Sequence, residues 1–548
     1  MSPRLLLPAL AALVLAGPAW ADDLLPANRP IPEAIDHYID ARLADEKVKP
    51  AGPAADAALL RRLTLDLVGR IPTAAEASAY LASNDPAKKV KLVDRLMASP
   101  GYARHQVNEF DTMLSIVRGR RGGGSNLREY LGRAFKENRS WDRMFRDLVL
   151  ADEKEPVQKG AAQFLKGRIK DLDRLTTDVS VLFFGVNISC AQCHDHPLVA
   201  DWKQDHYYGL KSFFSRTYEA GPFLGERDVG LVQFKTTKAV TKTARLMFLT
   251  GKVVEDGAPK LTAAQIKALK EAEKKRPKRR KQPNTGKQPD PPKFSARLAL
   301  ANLALEPGQR DFFARSIVNR LFHRHFGLGL VSPIDQMHSA NEPSHPELLA
   351  WLARDTAEHG YDLRRLTRGL VLSRAYARSS RWEGTRWPSQ NLFAVARVRA
   401  LTPAQLATSF RLALAAPEQL AGSLKPAELE RRLEGYENSA RGYADMVEQP
   451  RDDFQIGVGE ALLFSNSPRV QNELKAAHGD RLLGRMAGCK TPEEAVDLAV
   501  RNVLSRPADA EEKQIMAAYL ARRKDRLAEA HRQLVWALLC CAEFRFNS

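Results

Sequence analysis

The chain has 548 residues, a formal charge of +19 and five cysteines. That length supports two or three hydrophobic cores, and the cysteine count is too low for a disulfide-stapled secreted scaffold. After the N-terminal leader pattern no apolar run reaches the roughly 18 residues a membrane span needs, so no transmembrane segment is expected in the mature chain.

Residues 1–21 read as a secretory signal peptide. Arg4 precedes the apolar run Leu5–Ala16, Ala19-Trp20-Ala21 supplies an A-x-A cleavage pattern, and Asp22-Asp23 begins the mature chain. A periplasmic or secreted location follows. Helical periodicity then covers Ile31–Ala44, the Leu59, Leu60, Leu63 and Leu67 stripe, Lys88–Met97, Gly101–Ile116 and Leu127–Leu150. Thr73 with Glu76 predicts a capping box after Pro72, and Arg118–Ser125 predicts a glycine-rich loop.

A helical segment from Leu175 to Val186 leads into Cys190-Ala191-Gln192-Cys193-His194. This is CxxCH, the attachment signature of a c-type haem. Two thiols at that spacing suit thioether bonds to one porphyrin, and His194 suits the proximal iron position. Asp195, His196, Pro197, Trp202 and His206 follow. His206 has enough intervening chain to fold back as a second ligand, whereas His196 lies too close to His194 to reach the opposite haem face. Zinc or non-haem iron held by the two cysteines and some of these histidines is the alternative cofactor reading. A redox CxxC disulfide is a third.

Residues 216–260 change character. Val229–Phe234 and Ala244–Leu249 predict a small β-containing insertion. Residues 261–293 form a basic, proline-rich linker: eleven basic and three acidic residues lie between Lys267 and Lys293. Such a stretch is expected to be solvated and disordered, and it suits contact with an anionic polymer or envelope surface. Nucleic acid is not an expected partner of an exported chain without an aromatic-interleaved basic motif.

A second helical part spans 294–545. It contains the amphipathic Phe312–Phe322 run, a Ser344–Glu347 capping pattern, a helix ending at His359-Gly360, and Asp362 as the next cap. Leu401–Leu414, Asp452–Leu463, Thr491–Leu504 and Asp509–Ala537 are also helical by pattern, and Cys540-Cys541 reads as buried free thiols, a Cys489 disulfide being the rival. His323, His325, Met337 and His338 are further ligand candidates, and Trp202 is a candidate for packing on a cofactor ring. His323 and His325 do not share a helix face, so packing and dispersed polar roles compete with a second metal site there. The expected fold is therefore mainly α-helical: two helical domains, at 30–215 and 294–545, joined by the β insertion and the basic linker. No serine-hydrolase elbow, phosphate loop, dinucleotide fingerprint or HExxH occurs.

Several long motifs resemble one family. They are Leu60–Thr73 (LRRLTLDLVGRIPT), Leu92–Pro100, Cys190–Pro197 (CAQCHDHP) with Trp202, Asn319–Val331 (NRLFHRHFGLGLV), His345–Ala353, and Leu534–Leu539 with Ala542–Phe544. They resemble secreted planctomycete-type proteins built from a "planctomycete cytochrome c" domain of unknown function followed by a second domain of unknown function. The chain departs from that pattern at Cys540-Cys541, where the family often has Asn-Ser, and in LFHRHFG, where a Trp is common in the second position. The resemblance implies a cytochrome-like cofactor region but no defined reaction. The expectation is an exported mono-haem electron-transfer protein with an exported redox partner, serving extracellular polymer metabolism. The alternatives are a haem-dependent oxidoreductase, a non-haem metal-dependent hydrolase or structural metalloprotein, and an envelope binding or scaffold protein.

Overall fold

The computed structural model describes residues 24–115, 126–196, 199–257, 262–274, 288–450, 466–476 and 478–548. The expected leader, the Arg118–Ser125 loop, Pro197, residues 275–287 of the basic stretch and the Asp452–Leu463 pattern lie outside the described residues. The described chain is mainly α-helical, with strands confined to short two-stranded antiparallel ladders. No described helix is long and apolar enough to cross a membrane.

Local chemistry accounts for several boundaries. The helix Ala74–Leu81 begins with the expected capping box: Thr73 Oγ1 accepts from the Glu76 amide, and the Glu76 carboxylate accepts from the Thr73 amide. Arg70 forks onto the same carboxylate at 2.7 and 3.0 Å. Burial opposes ionisation of Glu76, but Arg70 outweighs it and holds the pKa down at about 2. Asp362 caps Leu363–Leu372 by accepting from the Arg364 and Arg365 amides.

Other expectations are corrected. The Ser344–Glu347 box does not form. The Ser344 amide donates to Leu330 O at 2.7 Å, which keeps Ser344 in the preceding loop, and His345 stands at the start of the helix Pro346–Glu358 without a side-chain cap. The 127–150 pattern is two helices, Asn126–Lys136 and Trp141–Leu150, separated where Asn138 takes a left-handed conformation (φ 51°). The 509–537 pattern breaks likewise into Ala510–Ala521 and Leu527–Cys540. The basic stretch opens with a helix, Ala263–Lys274, started by a reciprocal Thr262–Gln265 cap, where charge alone predicted disorder. All five cysteines are free, and Cys489, Cys540 and Cys541 are half-buried rather than fully enclosed.

The β insertion consists of three ladders: Thr217–Ala220 with Phe223–Glu226, Gln233–Lys235 with Thr241–Thr243, and Leu246–Met247 with Val253–Val254. A fourth joins Arg399–Ala400 to the C-terminal Phe546–Asn547.

The hydrophobic cores do not follow the linker. One core runs from Ile31 to Leu249 and continues through Ala296 to Ala394. Its aromatic centre shows why. Trp141 meets Phe110 (5.6 Å between centroids), Phe183 (5.5 Å) and Phe313 (6.2 Å, stacked), and Phe145 meets Phe183 and Phe313 at 4.8 and 5.0 Å. Phe313 lies beyond the linker on the helix Asp311–Phe326, yet it is fully buried among residues that precede the linker. Burying each such ring contributes about 1.5–3 kcal/mol. The second core collects residues from Leu401 to Phe544, with Leu65 and Ile71 from the N-terminal part. The helix Asp56–Val68 is thus a wall common to both: Leu63 and Leu67 face the first core, Leu65 the second.

Candidate functional site

The CxxCH segment sits on a 3₁₀ turn, Ser189–Gln192, directly after the helix Leu172–Phe184. Asn187 Oδ1 starts the turn by accepting from the Ser189 amide (3.2 Å) and hydroxyl (2.8 Å). Ile188 and Ala191 are fully buried and anchor it, while Cys190 and Cys193 project as exposed free thiols. On the following side, Gln204 Nε2 donates to Cys193 O (3.1 Å) and to Lys235 O (3.3 Å), tying the turn to the β insertion. Tyr208 donates to Gln192 O at 2.9 Å and stacks on Phe234 at 4.2 Å. Asp195 Oδ1 accepts from the Gln204 amide at the start of the helix Gln204–Ser212, where a carboxylate is favoured by the helix dipole.

Hydrogen bonding separates the histidines chemically. His194 is exposed, and its Nδ1 lies 2.8 Å from Asp195 O. A carbonyl can only accept, so Nδ1 carries the proton and Nε2 keeps a lone pair for a metal. His196 and His206 are the reverse. His196 Nδ1 accepts from the Val199 amide and His206 Nδ1 from the Lys203 amide, both at 3.1 Å. Their neutral rings therefore carry N–H at Nε2. His206 serves as a helix-start acceptor, packed edge-on to Trp202 at 6.0 Å, and burial together with Lys203 lowers its pKa. Trp202 is buried, contacts Phe312 at 5.9 Å and accepts at its backbone oxygen from the His196 amide.

A strap segment from beyond the linker is tied to the chain just before and just after this turn. Val186 bridges Gln336, the Asn187 amide donates to Asp335 O (2.7 Å), and the Met337 amide donates to Gly185 O (3.1 Å). Farther along, Ser339 donates through its amide and hydroxyl to the two Asp201 oxygens at 2.8 and 2.7 Å. Gly185 is required here: its φ is +68°, and a Cβ would lie 2.9 Å from Met337 Sδ. The strap places Met337 against the end of the helix that leads into CxxCH and brings the His338 ring 6.5 Å from that of His196. His338 Nδ1 is buried without a hydrogen-bond partner. Burial lowers the His338 pKa against the opposing pull of Asp201.

Two family models match the chain. Residues 34–219 match the PSCyt2 family model, described as Protein of unknown function (DUF1549), and residues 296–442 match PSD1, Protein of unknown function (DUF1553). The chain carries both of these planctomycete-associated domains. Comparison with curated proteins and with solved structures found no match. The CxxCH turn thus belongs to PSCyt2, and the strap that crosses it belongs to PSD1.

The donor set fits a c-type haem: two accessible thiols at the attachment spacing, then an imidazole whose lone pair is directed to Nε2 by a backbone carbonyl. Among the described residues no three His, Cys, Asp or Glu side chains gather to hold a metal ion. His323 and His325 form no such centre either. His325 is buried 3.9 Å from Asp66, and both its ring nitrogens lack a hydrogen-bond partner, while His323 is half-buried on the same PSD1 helix. Gln204, Asp201 and Asp335 were not candidates from the sequence. No local pattern marks them, since each acts through a partner brought close only by folding.

Proposed function

We propose that this chain is an exported mono-haem c-type protein that transfers electrons to or from an exported partner, in the service of extracellular polymer metabolism. Cys190 and Cys193 would form the thioether links and His194 Nε2 would hold the iron. The observation that carries this reading is the His194 Nδ1 to Asp195 O bond beside two exposed thiols. A haem held there supplies a one-electron couple. The protein's own part is to fix the His194 tautomer through Asp195 O, to hold the turn through Gln204 and Tyr208, and to close one side with the PSD1 strap.

The reading is tested by producing the protein in a host with periplasmic haem attachment. A Soret band and a haem-stained band on a denaturing gel are expected, and both should be lost in Cys190→Ala. Unstained, colourless wild-type protein sinks the proposal. His338, the strap residue whose buried Nδ1 has no hydrogen-bond partner, would be the residue to hold the iron from the PSD1 side. His338→Ala should then keep covalent haem but shift the ferric spectrum from low-spin to high-spin and admit added imidazole. An unchanged low-spin spectrum removes His338 from that role. A wild-type protein that is already high-spin and ligand-accessible favours the second reading, a haem-dependent oxidoreductase with an open iron position.

A further inference from the structure

The strand-poor surface of the PSD1 region carries one feature unrelated to the CxxCH turn. Trp387 is 63% exposed, the highest value among the exposed large apolar side chains of the described residues. Its ring lies 6.5 Å from that of Trp382 at a 41° tilt. Isolated exposed apolar residues are ordinary, but an exposed indole braced by a second, half-buried one is a recognisable binding surface.

The pair is built into the fold. Trp382 Nε1 donates to Arg386 O at 2.9 Å, closing the intervening turn. Gly384 lies so close to the Trp382 ring that a Cβ would sit 2.7 Å from it. The loop's ends are tied together: the Ser379 amide donates to Gly52 O at 2.7 Å, and the Ala396 amide donates to Ser379 O at 3.0 Å. Its returning half, Leu392–Ala394, is buried in the first core. A compact loop with joined ends and a buried return holds its outer side chains without paying for their ordering on binding.

Arg381 and Arg386 flank the rings and are exposed, and neither takes part in any ion pair found among the described residues. Guanidinium forks match carboxylate and sulfate groups, and flat indole faces match the apolar faces of sugar rings. The remaining residues of the loop, Glu383, Thr385, Ser389 and Gln390, are exposed hydrogen-bonding groups suited to hydroxyls. A membrane surface or a protein partner calls for a broader apolar patch than two rings. We propose that the Arg381–Trp387 loop is a binding platform for an acidic polysaccharide, with Trp382 and Trp387 stacking on sugar rings and Arg381 and Arg386 pairing with their acidic groups.

The test uses full-length protein and three probes: polygalacturonate, neutral dextran, and vesicles of anionic phospholipid. Polygalacturonate should bind most tightly. Because the whole chain is strongly basic, charge alone gives some binding, so the dependence on tryptophan decides the matter. Trp387→Ala should weaken polygalacturonate binding about tenfold or more without changing the melting temperature. Arg381→Gln with Arg386→Gln should weaken it and flatten its salt dependence. Equal binding by Trp387→Ala and wild type, or no binding to polygalacturonate, overturns the proposal. Tryptophan-dependent binding confined to the vesicles also overturns it. None of these outcomes depends on whether haem is attached.

Discussion

Replacing Asp66 with alanine is expected to destabilise the protein by about 3–5 kcal/mol, the usual effect of removing one partner from a buried charge network. Asp66 is 4% exposed and lies on the helix common to both cores. Its Oδ2 accepts from Tyr376 Oη and Arg399 Nη2, and its Oδ1 from Asn547 Nδ2, each at 2.7 Å. Burial alone would favour the neutral acid, but Arg399 and His325 outweigh it and hold the carboxyl well below the usual carboxylate range. Nearby, Arg62 donates to the backbone oxygens of Tyr376 (2.5 Å), Arg378 and Ser548. Alanine would leave Arg399, Tyr376 and Asn547 without their acceptor. Asp66→Asn keeps the shape and an acceptor oxygen, so a smaller loss, about 1–3 kcal/mol, is expected. Urea unfolding followed by tryptophan fluorescence gives the comparison, because Trp141 reports the first core and Trp536 the second. A loss below about 1 kcal/mol for Asp66→Ala would show that the network does not join them.

Stability should also fall as pH drops from about 6.5 to about 4, before most carboxylates protonate. His105 and His345 are both 3% exposed, and burial lowers the pKa of each from 6.5 to about 4. For His105 the raising effect of Glu109 is insufficient, and Arg324 adds to the lowering; for His345 Arg42 adds to it. Between the two values the unfolded chain binds protons that the folded chain refuses. Each histidine therefore contributes stability above pH 6.5 that disappears toward pH 4, with a slope near ~1.4 kcal/mol per pH unit for each full proton difference. Glu76 has the opposite shift, so its contribution is intact above about 4.5 and vanishes only toward pH 2. Urea midpoints at about pH 7, 5.5 and 4.5 would measure the fall, and His105→Gln should make it shallower. A flat profile over that range contradicts the assignment.

The CxxCH signature was legible in the sequence because it depends on spacing within five residues, as did the caps at Thr73 and Asp362; a β insertion was legible too, but of its strands only Gln233–Lys235 and Leu246–Met247 overlap the segments the sequence named. The motif itself singled out His194, but the hydrogen bonding that separates it from His196 and His206 was not legible. That separation depends on whether a carbonyl or an amide meets Nδ1, and that is decided by the course of the backbone around Trp202 and Lys203. Ser344 misled because a capping pattern specifies two side chains but not the pull of Leu330 O on the preceding amide. Asp66 was not singled out by the sequence, because periodicity names the buried face and never the residue opposite it. Arg399 and Asn547 arrive there from distant parts of the chain.

Phe313 and the strap around Met337 also bear on how such a chain is inherited. A gene fragment encoding PSCyt2 alone would yield a protein with a hole where the Phe313 ring belongs and an uncovered edge at Gly185–Asn187. Recombination that separates the two regions is penalised at once, unless another polypeptide supplies the missing half. The two regions behave as complementary halves of one folding unit, and an exchange between related genes would preserve function only by carrying both across together.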